Sequence, residues 1–282
     1  MEFKRYTDVD AFKADALDVL LEDEVQNNLP ISIILNSSKY NSDNWLLSTV
    51  TDDKGVVVLV AVCTKPYNIV IYEPIDSNNE SSMGFLASEL KHIGFNPPGI
   101  LSRNDIARRF TDAYCGDNYC NVKSSMVIMK LDNLAEFKKA PGFSRVLTEE
   151  DLSYVPAWEH EFSIDCNLLT STPAEYEERI RTRLGKDTHF IWEDGQPVSQ
   201  AVHGRDTPNS AVISWVYTPP QFRGRGYATS VVGELTQSLL SKGKKFCCLF
   251  ADAANPISRG VYKRLGYYDV CVFDEIIFDT PH

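Results

Sequence analysis

The chain has 282 residues, 43% of them hydrophobic and 24% charged, and a formal net charge of −11. That length allows two ordinary domains with real cores, and the composition excludes a disordered chain. The negative charge disfavours non-specific binding to nucleic acid or an anionic membrane, and the longest apolar run, residues 56–63, is far too short to cross a bilayer.

In chain order, Asp8–Asn27 reads as an amphipathic helix with Ala16, Val19 and Leu20 on its apolar face, joined by Leu17 and Val25. Three strand-like runs follow, "WLLSTV", "GVVVLVAVC" and "YNIVIYEP", with "TDDKG" as a hairpin turn between the first two. "SSMGFLASELKHIG" is a helix with a serine cap and Gly94 as a stop. Then come a short extended piece "PPGILS", a helix ended by Gly116, and the strand "VKSSMVIMKLD". The segment "NLAEFKKAPGFS", Asn133–Ser144, has no strong periodicity and marks a boundary, with a linker over residues 139–144.

The second half starts with Thr148 three residues before Asp151, a capping-box-like helix start. A further helix opens at Pro173, with Tyr176, Ile180 and Leu184 as its buried stripe. The strands "THFIWED", "QPVSQAVHG" and "AVISWVYT" follow, then a Gly-rich turn, a helix to Leu240, the strand "KKFCCLFA", the helix "ISRGVYKRLG" and the strand "YYDVCVFDEIIF". Both halves thus share one order: three strands, helix, strand, helix, strand.

The seven cysteines are scattered and lack four-ligand spacing, so they are expected to be reduced thiols, mostly small core residues, with no metal bound. The opening residues have charges throughout and no apolar core run, and a cytoplasmic location is expected.

The Gly-rich turn, "TPPQFRGRGYA", carries the chemistry. A helix start exposes unpaired N–H groups and the positive end of the dipole. Gly224 and Gly226 let the backbone approach an anion closely, and Arg223 and Arg225 add charge. A P-loop would need Lys-Ser/Thr after the last glycine, where Tyr227-Ala228 stand. A dinucleotide fold would place such a turn after the first strand of its unit, not the third. At the equivalent place the first half has "EPIDSNNESSM", without arginine and without glycine until Gly84.

Arg223-x-x-Gly226-x-Ala228 resembles the acyl-CoA pyrophosphate motif of the GNAT superfamily of N-acetyltransferases. "NPISRGVYKRLGY", Asn255–Tyr267, resembles the second motif of that superfamily, and the element order is similar too. The resemblance implies an α/β (α+β mixed-sheet) fold with two GNAT-like domains in tandem: residues 1–138 degenerate, 139–144 a linker, and 145–282 catalytic. It is similar to the two-domain predicted acetyltransferases of bacteria.

The roles implied by the resemblance are specific. Val216, Tyr217 and Thr218 would bond the pantetheine arm through their backbone. The amides from Phe222 and Arg223 through Gly224, Arg225, Gly226, Tyr227 and Ala228 to Thr229 would cradle the pyrophosphate. Asn255 would bind the pantetheine arm, Ser258 would lie near the cofactor, and Tyr262 would face the CoA sulfur. An amine would attack the thioester of acetyl-CoA, a strand amide near Val216 would donate to the oxyanion, and Tyr262 would protonate the departing thiolate. The third strand, "SAVISWVYT", lacks the glutamate found there in many relatives. Candidates for the missing base are His203, Glu159, His160 and Glu161, or a water chain to Ser214.

The expected activity is therefore acetyl transfer from acetyl-CoA to a primary amine of a small-molecule acceptor, by a monomer or homodimer, with neither nucleic acid nor membrane as partner. The first domain is expected to wall the acceptor cleft. Alternatives are a glycine N-acyltransferase-like enzyme with a larger acyl donor, a non-catalytic acyl-CoA sensor, and a tandem-domain aminoacyl transferase using charged tRNA, which the net charge disfavours.

Overall fold

A computed structural model of the chain describes residues 1–37, 44–74, 77, 81–116 and 120–278; residues 75, 76 and 78–80 of "EPIDSNNESSM" lie outside the described residues. The fold is mixed α/β, in two compact units. Unit 1 comprises residues 1–128, 251–254 and 270–282; unit 2 comprises 129–250 and 255–269.

Unit 1 begins with β1 (Glu2–Tyr6), α1 (Val9–Leu21), α2 (Asn28–Leu35), β2 (Trp45–Thr51), β3 (Val57–Thr64) and β4 (Val70–Tyr72). These strands form an antiparallel sheet in the order β1-β2-β3-β4. Side chains alternate across it. On one face Leu47, Val60 and Val62 pack with Phe12, Ala16 and Leu20 of α1 and Ile31 and Ile34 of α2. On the other, Leu46, Leu59 and Ala61 pack with residues of α3 (Ser82–His92) and α4 (Asn104–Cys115), among them Leu86, Leu90, Ile106 and Phe110.

The helix expected over Asp8–Asn27 ends at Leu21, and a second helix, α2, starts only at Asn28. The Asn27 side chain donates to the Leu20 carbonyl at 2.8 Å, which caps α1 and lets the chain turn. The second helix escaped the sequence reading because "NLPISIIL" is apolar on most sides and carries Pro30 near its start.

After α3 comes β5 (Gly99–Arg103), and after α4 comes β6 (Cys120–Leu131). The last strand of the chain, β12 (Tyr268–Phe278), pairs antiparallel with β5 from Phe273–Arg103 to Ile277–Gly99. The C-terminal strand therefore completes unit 1, although in sequence it closes the second half. A fragment starting near residue 140 would strip β12 of this partner.

Unit 2 contains β7 (Phe143–Val146), α5 (Val155–Asp165), α6 (Pro173–Arg181), β8 (His189–Glu193), β9 (Pro197–Gly204), β10 (Ser210–Tyr217), α7 (Tyr227–Ser241), β11 (Phe246–Asp252) and α8 (Pro256–Arg264). Strands β7 to β10 run as an antiparallel meander, and β11 joins β10 in parallel. The capping box between Thr148 and Asp151 is present, at a 3-10 turn that precedes α5. With β1 and β7 included, strands the sequence reading missed, the two halves repeat the same element order in full.

The expected linker is docked on unit 2. Lys139 pairs with Glu234 of α7, the Ala140 amide donates to Ser230 Oγ at 2.8 Å, and the Trp192 indole donates to the Pro141 carbonyl at 2.8 Å. Phe137 lies over Gly233, where a Cβ would overlap its ring. Gly233 thus makes room on α7 for this strap. Gly233→Ala should destabilise the protein by about 1–3 kcal/mol in urea unfolding. Adding Phe137→Ala should recover part of that loss; simple additivity of the two changes would contradict the packing account.

Candidate active site

At the end of β10 the chain makes a short 3-10 turn over Pro220–Phe222, passes through Arg223, and starts α7 after Gly226. Gly224 has φ +77° and Gly226 φ +86°, a region that costs an L side chain dearly. No crowding demands these glycines: a Cβ on Gly224 would meet open space, and one on Gly226 only Ala140 at 3.8 Å. The positive φ values instead make the sharp turn that leads into α7. No acidic residue stands in its first turn, and its N-cap residue, Gly226, has no side chain to cap it. The first-turn amides lack intrahelical acceptors, so the turn fits a polyanion such as a pyrophosphate.

Arg223 is half-exposed. Its Nε donates to the Thr218 carbonyl at 2.9 Å and its Nη2 to Asp165 at 2.7 Å. Arg225 is exposed, and the Tyr227 hydroxyl donates to Asp194 at 2.5 Å.

Strand β10 itself is irregular. Its pairing with β9 jumps from Ser214–Val202 to Tyr217–Gln200, so Trp215 and Val216 span the place of Ala201 alone. Such a bulge frees one residue from the ladder. Its parallel pairing with β11 stops at Ile213–Leu249, before β10 does. Trp215 has φ +52°, a conformation that costs a bulky residue on the order of 1–3 kcal/mol. The Tyr217 hydroxyl donates to Glu161 of α5 at 2.6 Å, and burial with that carboxylate raises its pKa. Ser199 Oγ donates to the Tyr217 carbonyl at 3.0 Å and contacts Thr218 Oγ1 at 2.8 Å.

On α8, the Asn255 side chain accepts from the Ser258 amide at 3.1 Å, so Asn255 is the helix cap. Tyr262 is buried, with 8% exposure, against Tyr267. Among the described residues its hydroxyl has no hydrogen-bond partner, and burial raises its pKa, so it stays protonated at neutral pH.

The base candidates fare differently. Glu159 is fully buried and held by guanidinium groups on both oxygens: Arg183 on one, Arg179 at 2.9 Å on the other. That is a structural ion pair, with no oxygen left to take a proton from an amine. The His203 ring faces Asp206 at 3.3 Å and the Asp187 carbonyl at 3.0 Å, so both nitrogens point at acceptors of their own. His160 sits edge-on to Tyr176. Glu161 alone of these is an exposed carboxylate tied to β10, through Tyr217.

Sequence reasoning passed over a polar cluster beneath the bulge. Gln200 Nε2 donates to the Trp215 carbonyl at 3.4 Å, and Gln200 Oε1 faces His189 Nε2 at 3.3 Å. His189 and Gln200 are both fully buried. The signal was available as polar residues inside otherwise apolar strands, "HFIWE" and "PVSQAV", but an isolated polar residue in a strand does not by itself say which neighbour it serves.

Aligned element by element, unit 1 carries a counterpart of the same site. Tyr72-Glu73-Pro74 corresponds to Tyr217-Thr218-Pro219, and Asn104-x-Ile106-Ala107-Arg108 to Asn255-x-Ile257-Ser258-Arg259, with Thr111 where Tyr262 stands. There the Ile71 amide, the counterpart of Val216, donates to Ser102 Oγ at 2.9 Å. Glu73 is paired with Arg109 and accepts from Ser82 at 3.4 Å. At this place unit 1 satisfies its own backbone and side-chain groups with one another.

Residues 194–273 match the family model described as FR47-like protein. Three solved structures are similar over the full length. A GCN5-related N-acetyltransferase from Sphaerobacter thermophilus has 14% identity and TM-score 0.68, over 99% of this chain and 96% of that one. An acetyltransferase from the GNAT family from Colwellia psychrerythraea has 12% identity and TM-score 0.62, over 99% and 100%. A tandem GNAT protein from the clavulanic acid biosynthesis pathway has 12% identity and TM-score 0.60, over 100% and 99%. No curated protein sequence matches significantly. The fold of the chain is the GNAT fold, in tandem, as the motif resemblance implied.

Burial, and then Arg183, lowers the His189 pKa from 6.5 to about 3. The unfolded chain binds this proton below pH 6.5 and the folded chain does not until about 3. The His189 contribution to stability is therefore complete above pH 6.5 and is lost as pH falls toward 3, by at most about 1.4 kcal/mol per pH unit. In urea unfolding at pH 7 and pH 5, His189→Phe should show a shallower loss than the parent. Equal losses would contradict a neutral buried His189.

Proposed function

We propose that this chain of GNAT fold, with its FR47-like segment over the Gly-rich turn, is an acetyl-CoA-dependent N-acetyltransferase, and that unit 2 carries the activity. The observation that supports this most is the conjunction within one unit of an open, acid-free helix start after two positive-φ glycines and a bulged strand leading into it. The first suits a pyrophosphate; the second offers a backbone amide to a carbonyl oxygen that gains charge.

In this reading the amides and arginines of 223–229 hold the diphosphate of acetyl-CoA. Val216, Tyr217 and Thr218 run alongside the pantetheine arm, and Asn255 and Ser258 flank it from the start of α8. Tyr262 holds a proton that its surroundings keep on the phenol, and delivers it to the sulfur as the C–S bond breaks. Glu161 is the carboxylate best placed to take a proton from the amine, since Tyr217 orients it and it is open to solvent. The acceptor is a small primary amine, and the protein works in the cytoplasm.

The test is thiol release from acetyl-CoA against a library of primary amines. At least one amine should support turnover, and Tyr262→Phe should lower kcat about 100-fold while leaving KM for acetyl-CoA within a few-fold. Tight CoA binding with no thiol release from any amine, and no effect of Tyr262→Phe, would instead make the protein an acyl-CoA sensor. Turnover only with longer acyl-CoA donors would assign it a larger acyl group.

A further inference from the structure

We propose that Glu159, Arg179, His189 and Gln200 form a clamp that holds Trp215 in its left-handed conformation, and so act as positioning residues for acyl transfer; this rests on the reading of unit 2 as an acyltransferase. A bulky residue at φ +52° does not stay there unaided, because a regular strand conformation is available to it. Two separate holds act on it.

The first grips the backbone. Gln200 Nε2 donates to the Trp215 carbonyl at 3.4 Å. The Gln200 amide is kept in that orientation because its Oε1 faces His189 Nε2 at 3.3 Å. An amide oxygen can only accept, so the imidazole carries its proton on Nε2. Nδ1 is then a bare acceptor, and among the described residues it is buried without a hydrogen-bond partner. Leaving a buried acceptor unsatisfied is costly. A phenyl ring at position 189 would avoid the cost, so the histidine is best understood by what its other nitrogen orients.

The second grips the side chain. The Arg179 guanidinium lies between the rings of Tyr176 and Trp215, 4.8 Å from each centroid, and Phe162 stands 5.0 Å from the Trp215 ring. Arg179 reaches this position from α6 because Glu159 takes its Nε and Nη2 at 3.3 and 2.9 Å. Glu159 is in turn neutralised from the other side by Arg183. A fully buried carboxylate between two arginines tolerates little movement, which fixes the guanidinium and hence the indole against it. With carbonyl and ring both held, the peptide after Trp215 cannot rotate back into the ladder with β9, and its N–H stays available to a thioester oxygen.

The clamp is tested by the carbonyl 13C resonance of [1-13C]acetyl-CoA bound to the full chain, which reports polarisation of the thioester without any need for an acceptor. In the parent protein the resonance should lie downfield of free acetyl-CoA. In Gln200→Met and in Arg179→Met it should move back toward the free position, while the acetyl-CoA dissociation constant changes less than about 3-fold. With a reactive amine, kcat should fall ~10–100-fold with KM nearly constant. Arg179→Lys, which keeps the charge at Glu159 but not the flat stack, should fall between. Arg179 is partly exposed, so its variants report even if Gln200→Met does not fold. Variants that bind acetyl-CoA and keep the parent resonance would overturn the clamp, as would a parent that binds acetyl-CoA with no shift at all. A parent that does not bind acetyl-CoA overturns the proposed function instead, and the clamp with it.

Discussion

The N–H groups in the first turn of α7 have no acceptor inside their own helix, and the N-cap residue, Gly226, has no side chain to offer them. The rest of unit 2 is arranged around that deficit. Gly224 and Gly226 take the positive-φ turn with open space beside Gly224, and exposed Arg225 adds positive charge next to Arg223, which pairs with Asp165. Ser230 fastens the strap at Ala140 beside the turn, and Trp192 of β8 holds it at Pro141. The upstream strand leaves its pairing with β11 at Ile213 and bulges at Trp215, so it arrives at the turn with backbone groups unspent. An anionic, extended ligand answers both needs at once.

Unit 1 pairs its own groups at the place that matches the turn and bulge of unit 2. Both units keep the Tyr-x-Pro step at the end of the fourth strand of the meander and the Asn-x-Ile helix start further on. In unit 1, however, Ser102 takes the amide of Ile71, and Glu73 brings its own negative charge and pairs it with Arg109. Thr218 stands where unit 1 has Glu73, Gly260 where it has Arg109, and Tyr262 where it has Thr111, so the ion pair of unit 1 has no counterpart in unit 2, while the order of elements is the same.

Much of this was legible in the sequence, and the reasons are physical. Paired glycines with arginines after a strand have few explanations, and a second motif at the right distance narrowed them. The doubled element order was visible because hydrophobic periodicity survives sequence divergence. The short strands β1 and β7 were not, since five and four residues carry too little periodicity to stand out. The allegiance of β12 to β5 could not be read either, because strand pairing across more than 150 residues leaves no local trace. In the sequence Glu159 is one acid of "EHE" on a helix and reads as a candidate base or a polar helix face; only the positions of Arg179 and Arg183 reveal it as a buried ion pair. The bulge at Trp215 was equally silent, as nothing in "SWVYT" marks a left-handed tryptophan.

The central claim is that one unit binds the coenzyme and the other does not. Calorimetric titration of the full chain with CoA tests it most directly. The account predicts one site per chain, weakened at least ~10-fold by Gly226→Val, whose β-branched side chain cannot adopt the required positive φ. Two sites per chain, no binding, or a Gly226→Val variant that binds as tightly as the parent would contradict it.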